Sequence, residues 1–246
     1  MHFDDKTSAR DHVWGELERH KLGAYPFPVR GRIPNFKGAR EAAFRLLETP
    51  LFQNARRIKV NPDSPQRFVR AEALRRGIQV YVPTPRLAGG FMVLNPAEIP
   101  HDAIWKASAR SNWDQYAQPV PLEALPQMDL IVTGCVAVTP EGKRAGKGAG
   151  YSDLEFAILR ELGHAPVPVV TTVNDVQVVG DFPIASHDQP LSLIVTPTRT
   201  ISISSPLPEP AGIAWSHLPA DALKTMPVLT SLKSLAAANG GLDGPA

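Results

Sequence analysis

Cysteine is nearly absent: Cys135 stands alone in 246 residues. An intrachain disulfide is excluded, and a disulfide-stapled secreted scaffold with it. A lone thiol in an apolar run fits a reducing compartment and a buried, hydrophobe-like role. Long apolar stretches are also missing, since none approaches the roughly 20 residues a membrane-spanning helix needs. The opening Met-His-Phe-Asp-Asp-Lys is polar and acidic, unlike a secretory leader. A soluble, cytoplasmic protein without a membrane partner is the expectation. Charge of one sign is lacking as well. With a net charge of only +2, no global case exists for nucleic acid, so any electrostatic argument must be local.

What is present is ordinary globular material, 43% hydrophobic and 20% charged. The length suits one large domain or two small ones. The 25 prolines are dispersed and mark ordered turns rather than a low-complexity tract.

One stretch organises the rest: Glu141-Gly-Lys-Arg-Ala-Gly-Lys-Gly-Ala-Gly-Tyr-Ser-Asp153. Gly146, Gly148 and Gly150 alternate, with Lys143, Arg144 and Lys147 set among them. Upstream, Leu130–Val138 reads as a buried strand carrying Cys135. Downstream, Ser152-Asp-Leu-Glu155 reads as a capping box opening a helix with Leu154, Ile158 and Leu162 on one face. A glycine loop between strand and helix lets the backbone approach a ligand and aims amide N–H groups at an anion, most naturally a phosphate. The pattern is neither a P-loop nor a dinucleotide fingerprint. A solvated surface turn would have the same composition; the interspersed cations favour phosphate.

Around this stretch the periodicity alternates between strand and helix. Residues 6–19 predict a helix with Val13, Trp14 and Leu17 inward, which places Lys6 and Arg10 one turn apart. Residues 24–36 are proline-rich and extended, and 38–48 form a helix. Strand 57–60, helix 68–76 ending at Gly77, and strand 78–82 make a βαβ unit. Further strands are expected at 91–94, 167–173 and 191–196, and a C-terminal helix over 219–236. In residues 95–120 the commoner reading of Trp105, Trp113 and Tyr116 is core packing, with a ligand border as the other. The fold expected is α/β: an open, mainly parallel sheet with helices on both faces. One domain over 1–236 and a disordered tail over 237–246 complete the expectation.

Arg144-Ala-Gly-Lys-Gly-Ala-Gly-Tyr-Ser-Asp153 resembles the R-x-G-x-G-x-G-Y-x-D signature of the 5-formyltetrahydrofolate cyclo-ligases, or methenyltetrahydrofolate synthetases. Lys6 and Arg10 match that family's N-terminal K-x-x-x-R, and His187-Asp188 its histidine–aspartate step before a late strand. The chain is most similar to the divergent branch of methenyltetrahydrofolate synthetase domain-containing proteins. Phe27–Gly38, Val60–Gln66, Val82–Leu87 and Gly212–Trp215 look like blocks of that branch. Some of its members carry RNA-binding modules; no RNP-like strand or KH-type loop is visible here.

The resemblance implies a Rossmann-like domain and an ATP- and Mg²⁺-dependent ligase closing 5-formyltetrahydrofolate, or a related formylated heterocycle, to a cyclised product with release of ADP and phosphate. It implies that Arg144 and Lys147 act in catalysis. Lys6, Arg10, Gly146, Gly148, Ala149 and Gly150 would hold the nucleotide, Tyr151 and Asp63 the folate-like substrate, and Asp153 and Asp188 the magnesium. Bland rivals stand beside these roles: Asp153 favours a helix N-terminus electrostatically, His187-Asp188 suits a turn, and Tyr151 can anchor its loop by packing. The family's carboxylate-bearing E-V-D-T-like segment is replaced by Asn61-Pro-Asp-Ser-Pro-Gln66, which leaves the substrate open. The alternative function is a non-catalytic nucleotide- or folate-binding regulator. Oligomeric state is not readable.

Overall fold

Short apolar runs punctuated by glycine and proline become strands here, and longer 3.6-periodic stretches become helices. The computed structural model describes residues 1–238. The chain opens with α1 (Lys6–Arg19), whose Asp5 cap accepts the Ser8 N–H at 2.7 Å. A small antiparallel ladder follows, β1 (Gly23–Ala24) with β2 (Asn35–Phe36), then α2 (Ala39–Leu47) and α3 (Pro50–Gln53). Next come β3 (Arg57–Val60), α4 (Arg67–Arg75), β4 (Gln79–Pro83) and β5 (Phe91–Leu94). Short helices α5 (Ile104–Ala107) and α6 (Trp113–Tyr116) lead to β6 (Ala117–Val120) and β7 (Leu130–Thr133). A hairpin, β8 (Ala137–Val138) and β9 (Arg144–Ala145), precedes α7 (Tyr151–Glu161). The remainder is β10 (Val169–Thr172), β11 (Leu193–Val195), β12 (Thr200–Ser202), α8 (Ala222–Thr225) and α9 (Pro227–Ala238).

Eight strands form the main sheet in the order β12-β11-β10-β7-β3-β4-β5-β6. The five from β11 to β4 run parallel, and β12, β5 and β6 add antiparallel edges. The mainly parallel α/β expectation is met.

Period-two alternation assigns the faces. Ile58, Val60, Val80, Val82, Leu130 and Val132 pack on one side with α2 and α4. Tyr81, Ile131, Val169 and Ile194 point to the other, against Phe156 and Ile158 of α7 and Leu229 of α9. Lys59 lies between Ile58 and Val60 and therefore points to the α7 side. A third cluster seats Ala9, Val13 and Leu17 of α1 on Ala137, Ala145 and Phe182, which brings α1 against the β8–β9 hairpin.

Several expectations change. The single strand over Leu130–Val138 is two, because the chain turns after Thr133 and re-pairs as β8 with β9. Cys135 is buried in that turn. The helix expected over 219–236 is broken between α8 and α9, where Pro227 has no N–H to continue α8. The tail expected over 237–246 lies outside the described residues from 239 on. Edge strands β6 and β12 went unpredicted; β6 carries Pro119, which an edge tolerates. Trp113 is core, Tyr116 packs partly against it, and Trp105 is exposed with the Arg67 guanidinium 4.0 Å from its ring centre.

Ile58 sits in a central strand with no exposure. Ile58→Ala is expected to lower unfolding stability by about 2–4 kcal/mol, measured by urea denaturation. A loss below about 0.5 kcal/mol, the range of surface substitutions, would contradict this core assignment.

Candidate functional site

Where β3 and β4 end, the chain leaves the sheet through Asn61-Pro62-Asp63 and Thr84-Pro85-Arg86, and both segments line one cleft of about 790 Å³. Its other walls are the glycine loop, the first turns of α7, the His187-Asp188 step, and residues from Ile213 to Met226. Ligands of open α/β sheets bind at this carboxyl edge. Lys6 and Arg10 of α1 reach the same cleft. The residues given site roles from the sequence, Lys6, Arg10, Asp63, Arg144, Gly146, Lys147, Gly148, Ala149, Gly150, Tyr151, Asp153 and Asp188, are therefore brought together, whereas Lys143 of the same stretch does not line the cleft.

The loop is anchored from below by Arg144. Its guanidinium is buried, donates to Asp153 Oδ1 at 2.5 Å, and leaves Nε without a partner. Burial works against its charge, but the carboxylates of Asp153 and Asp188 and the Cys135 thiol outweigh that, and its pKa rises above the ordinary value. Asp153 Oδ1 also accepts the Gln189 N–H at 2.9 Å, tying β9, α7 and the 187–189 segment to one oxygen. Lys6 pairs with Asp188, whose Oδ2 accepts the Ala185 N–H at 2.6 Å. Arg10 lies 3.4 Å from the Gly146 carbonyl and donates to Thr7 Oγ1 at 3.0 Å. Gly148 and Gly150 have φ of +103° and +72°, left-handed values at which a side chain is strained. Lys143 turns away to Asp181, 2.6 Å distant.

α7 does not begin on a capping box, contrary to the sequence reading. Gly150 is its N-cap with no side-chain bond. Ser152 Oγ instead accepts from Asn61 Nδ2 at 2.8 Å. Glu155 is buried and paired with Lys59, and Lys59 Nζ also donates to Asn61 Oδ1 at 3.1 Å. Asn61 Nδ2 lies 3.3 Å from Glu155 Oε2, which closes the set. Burial pushes the Glu155 carboxyl above its ordinary range, opposed by the Lys59 ammonium. Arg70 supports the layer beneath: it donates to the carbonyls of Asn61, Asp63 and Ser108, and burial pulls its pKa down to about 9. Lys59, Asn61 and Glu155 were missed as site residues. The legible signal was a lysine and a glutamate in phase with opposed apolar faces of β3 and α7.

The cleft lining also includes Asp63, 4.0 Å from Lys147 Nζ, Tyr151 at the start of α7, and Ile213 and Met226. Arg86 and Leu87, where the chain leaves β4 beside the cleft, both have positive φ, 54° and 56°. Such strain in residues with side chains collects at functional sites. His187 faces His217 with ring centres 5.3 Å apart.

Six cationic side chains, Lys6, Arg10, Arg86, Arg110, Arg144 and Lys147, meet four carboxylates in the cleft. With the glycine amides, this cationic excess fits a polyphosphate. For a divalent metal the donors are thinner. Asp153 and Asp188 converge, but each is bound to a cation, and no group of three or more His, Cys, Asp or Glu gathers among the described residues. These residues fit a magnesium ion that brings phosphate and water oxygens with it, not one held by protein alone.

Residues 9–197 match the 5-formyltetrahydrofolate cyclo-ligase family. The methenyltetrahydrofolate synthase domain-containing proteins of Mus musculus and Bos taurus are 41% and 42% identical to the chain over 235 residues. Those alignments cover 93% of the chain but only 63% and 62% of the relatives, so the chain spans less than two thirds of their length. The 5-formyltetrahydrofolate cyclo-ligase of Escherichia coli (strain K12) is 28% identical over 127 residues, covering 51% of the chain and 66% of that enzyme. The NMR structure of Aquifex aeolicus 5,10-methenyltetrahydrofolate synthetase shares the fold, with a TM-score of 0.52 and 17% identity, covering 81% of the chain and 93% of that structure. Among the described residues no helix is long and apolar enough to cross a membrane.

Lys59→Met should cost about 3–5 kcal/mol, because Glu155 is then buried without its cation, while Lys59→Met/Glu155→Leu should regain most of that loss. Chemical denaturation of the two variants decides it. Equal stability of single and double variants would show that the pair is not coupled.

Proposed function

The chain belongs to the 5-formyltetrahydrofolate cyclo-ligase family, and on that premise we propose that its cleft binds ATP beside a formylated, folate-type heterocycle and closes the heterocycle's ring. The observation that carries this reading is the convergence of Lys6, Arg10, Arg144 and Lys147 on one glycine loop at the carboxyl edge of the sheet. Phosphoryl transfer asks little covalent chemistry of a protein; it needs position and charge neutralisation. When bound, ATP with magnesium supplies an activated phosphoryl group for the formyl oxygen.

The chain's own residues do the rest. Arg144 cannot swing, since Asp153 holds it and the fold buries it, so it presents fixed positive charge under the loop. Lys147 is half-exposed and free to follow a moving phosphoryl group. Lys6 and Arg10 close the same site from α1. Gly146 to Gly150 contribute backbone amides at the start of α7. Asp153 and Asp188, held by Arg144 and Lys6, are the carboxylates that would face a magnesium ion brought in with the nucleotide, whose charge would neutralise the phosphates. Tyr151 and Asp63 border the heterocycle, and Ile213 and Met226 supply apolar contact and exclude water. A soluble, cytoplasmic setting fits a reaction of this kind.

Incubation of the chain with 5-formyltetrahydrofolate and Mg-ATP, followed through methenyl absorbance and phosphate release, tests the reading. ATP-dependent product formation supports it. Tight Mg-ATP binding with no turnover would favour the regulator instead. Within the enzyme reading, Lys147→Ala is expected to weaken Mg-ATP binding by about 1–3 kcal/mol through loss of a charge-assisted contact. Calorimetry that finds unchanged affinity in a folded variant would return the loop to a purely structural role.

A further inference from the structure

The family match ends at residue 197, yet the chain beyond β12 returns to the cleft and lines it at positions from Ile213 to Met226. Between β12 and α8 this strap has one short helical turn, Trp215–His217, so its place is set by what it touches. Its first tether is Glu161, in the last turn of α7. Oε2 of that carboxylate accepts the Ile213 N–H at 2.9 Å, and Oε1 accepts the Trp215 indole N–H at 3.3 Å. Gly212 permits the approach, because a Cβ there would collide with Glu161 Oε2. Lys233 of α9 lies 4.6 Å from the centre of the Trp215 ring and steadies it further. At the other end His217 meets His187, and two residues on, the Gln189 N–H donates to Asp153 in the first turn of α7. The strap therefore follows α7 from Glu161 to the turn of Asp153, about 12 Å at the helical rise per residue.

Leu154 and Ala157 of α7 line the cleft, and Glu161 follows Ala157 by one turn on the same helical face. Ile213, bonded there, continues this apolar lining, and Leu218 and Met226 add to it. None of the strap residues that line the cleft is an acid, a lysine or an arginine, whereas the glycine loop gathers Lys6, Arg10, Arg144 and Lys147. The lining is thus of two kinds, one built for charge and one without it.

We propose that this strap is the specificity element of the cleft: Ile213, Leu218 and Met226 receive the uncharged ring body of the heterocycle, and Glu161 is the positioning residue that keeps them in place. An apolar lining favours a flat ring and leaves a phosphate without compensation for its lost water. Glu161 itself does not line the cleft, so it acts through the strap. The proposal rests on the folate-type reading given above and deepens its substrate side.

Glu161→Ala removes both acceptors, and Gly212→Ala forces the same carboxylate away from the strap. Calorimetry of the full chain with 5-formyltetrahydrofolate and, separately, with inorganic triphosphate reads the two kinds of lining. Each variant is expected to weaken 5-formyltetrahydrofolate binding by about tenfold or more, as small misplacements of contact groups do. Triphosphate affinity should stay within about twofold, the range for sites that do not interact. The double variant should bind 5-formyltetrahydrofolate no worse than Glu161→Ala, because the collision then has no partner. Glu161→Gln, which keeps one accepting oxygen, is the milder arm and should lose less. Hydrogen exchange at the Ile213 amide without ligand reports the tether itself and should quicken in Glu161→Ala and Gly212→Ala. Unchanged exchange overturns the tether. Faster exchange with unchanged 5-formyltetrahydrofolate affinity, or equal losses for both ligands, overturns the specificity role. A wild type that binds 5-formyltetrahydrofolate without turning it over sinks the enzyme reading and leaves the strap to these results, whereas one that does not bind it overturns both.

Discussion

A charged side chain in the interior must be answered by another charge, and Lys59 is where this requirement shapes the molecule. The pleat of β3 sends Ile58 and Val60 into one core layer and leaves Lys59 facing α7. Glu155 answers it, and the pair fixes how α7 sits above the end of the sheet. Because α7 starts at the glycine loop, that rotation also decides where Gly146 to Gly150 point. Asn61 fills the space between the pair and Ser152, so the loop after β3 is bound to the same network. Desolvating these charges costs several kcal/mol apiece. A pair so placed secures one arrangement of strand, loop and helix at the floor of the cleft.

The cations above that floor follow the same rule. Lys6 is held by Asp188 and Arg144 by Asp153, and both carboxylates also accept backbone N–H groups from the 185–189 segment. α1, the β8–β9 hairpin, α7 and the late loop are thus joined by charge-assisted bonds around one opening. Positive charge is positioned in advance and partly neutralised, which limits self-repulsion around the opening.

Much of the fold was legible because its signals are local. β3, α4 and β4 followed from period and from Gly77, and α1 from Val13, Trp14 and Leu17. The edges were less so. β6 and β12 have little apolar character, and their strand identity comes from pairing with β5 and β11. The glycine loop, Lys6, Arg10, Asp153 and Asp188 were legible as a group through a signature, and the fold does bring them together. Ser152 and Glu155 show what sequence reading cannot reach: their spacing copies a capping box, yet Asn61 and Lys59, distant in the chain, take both side chains for the cleft floor. Tertiary partners overrode a local motif.

The proposed function requires a polyphosphate to seat on the glycine loop. Amide NMR of the chain titrated with inorganic triphosphate measures it without any assumption about the heterocycle. The amides of Gly146, Gly148 and Gly150 should shift together and saturably, along with those of α1 around Lys6 and Arg10, and the response should weaken as salt rises. No shift at these glycines, or shifts confined to other basic surfaces such as Arg56 and Arg75, would contradict the claim.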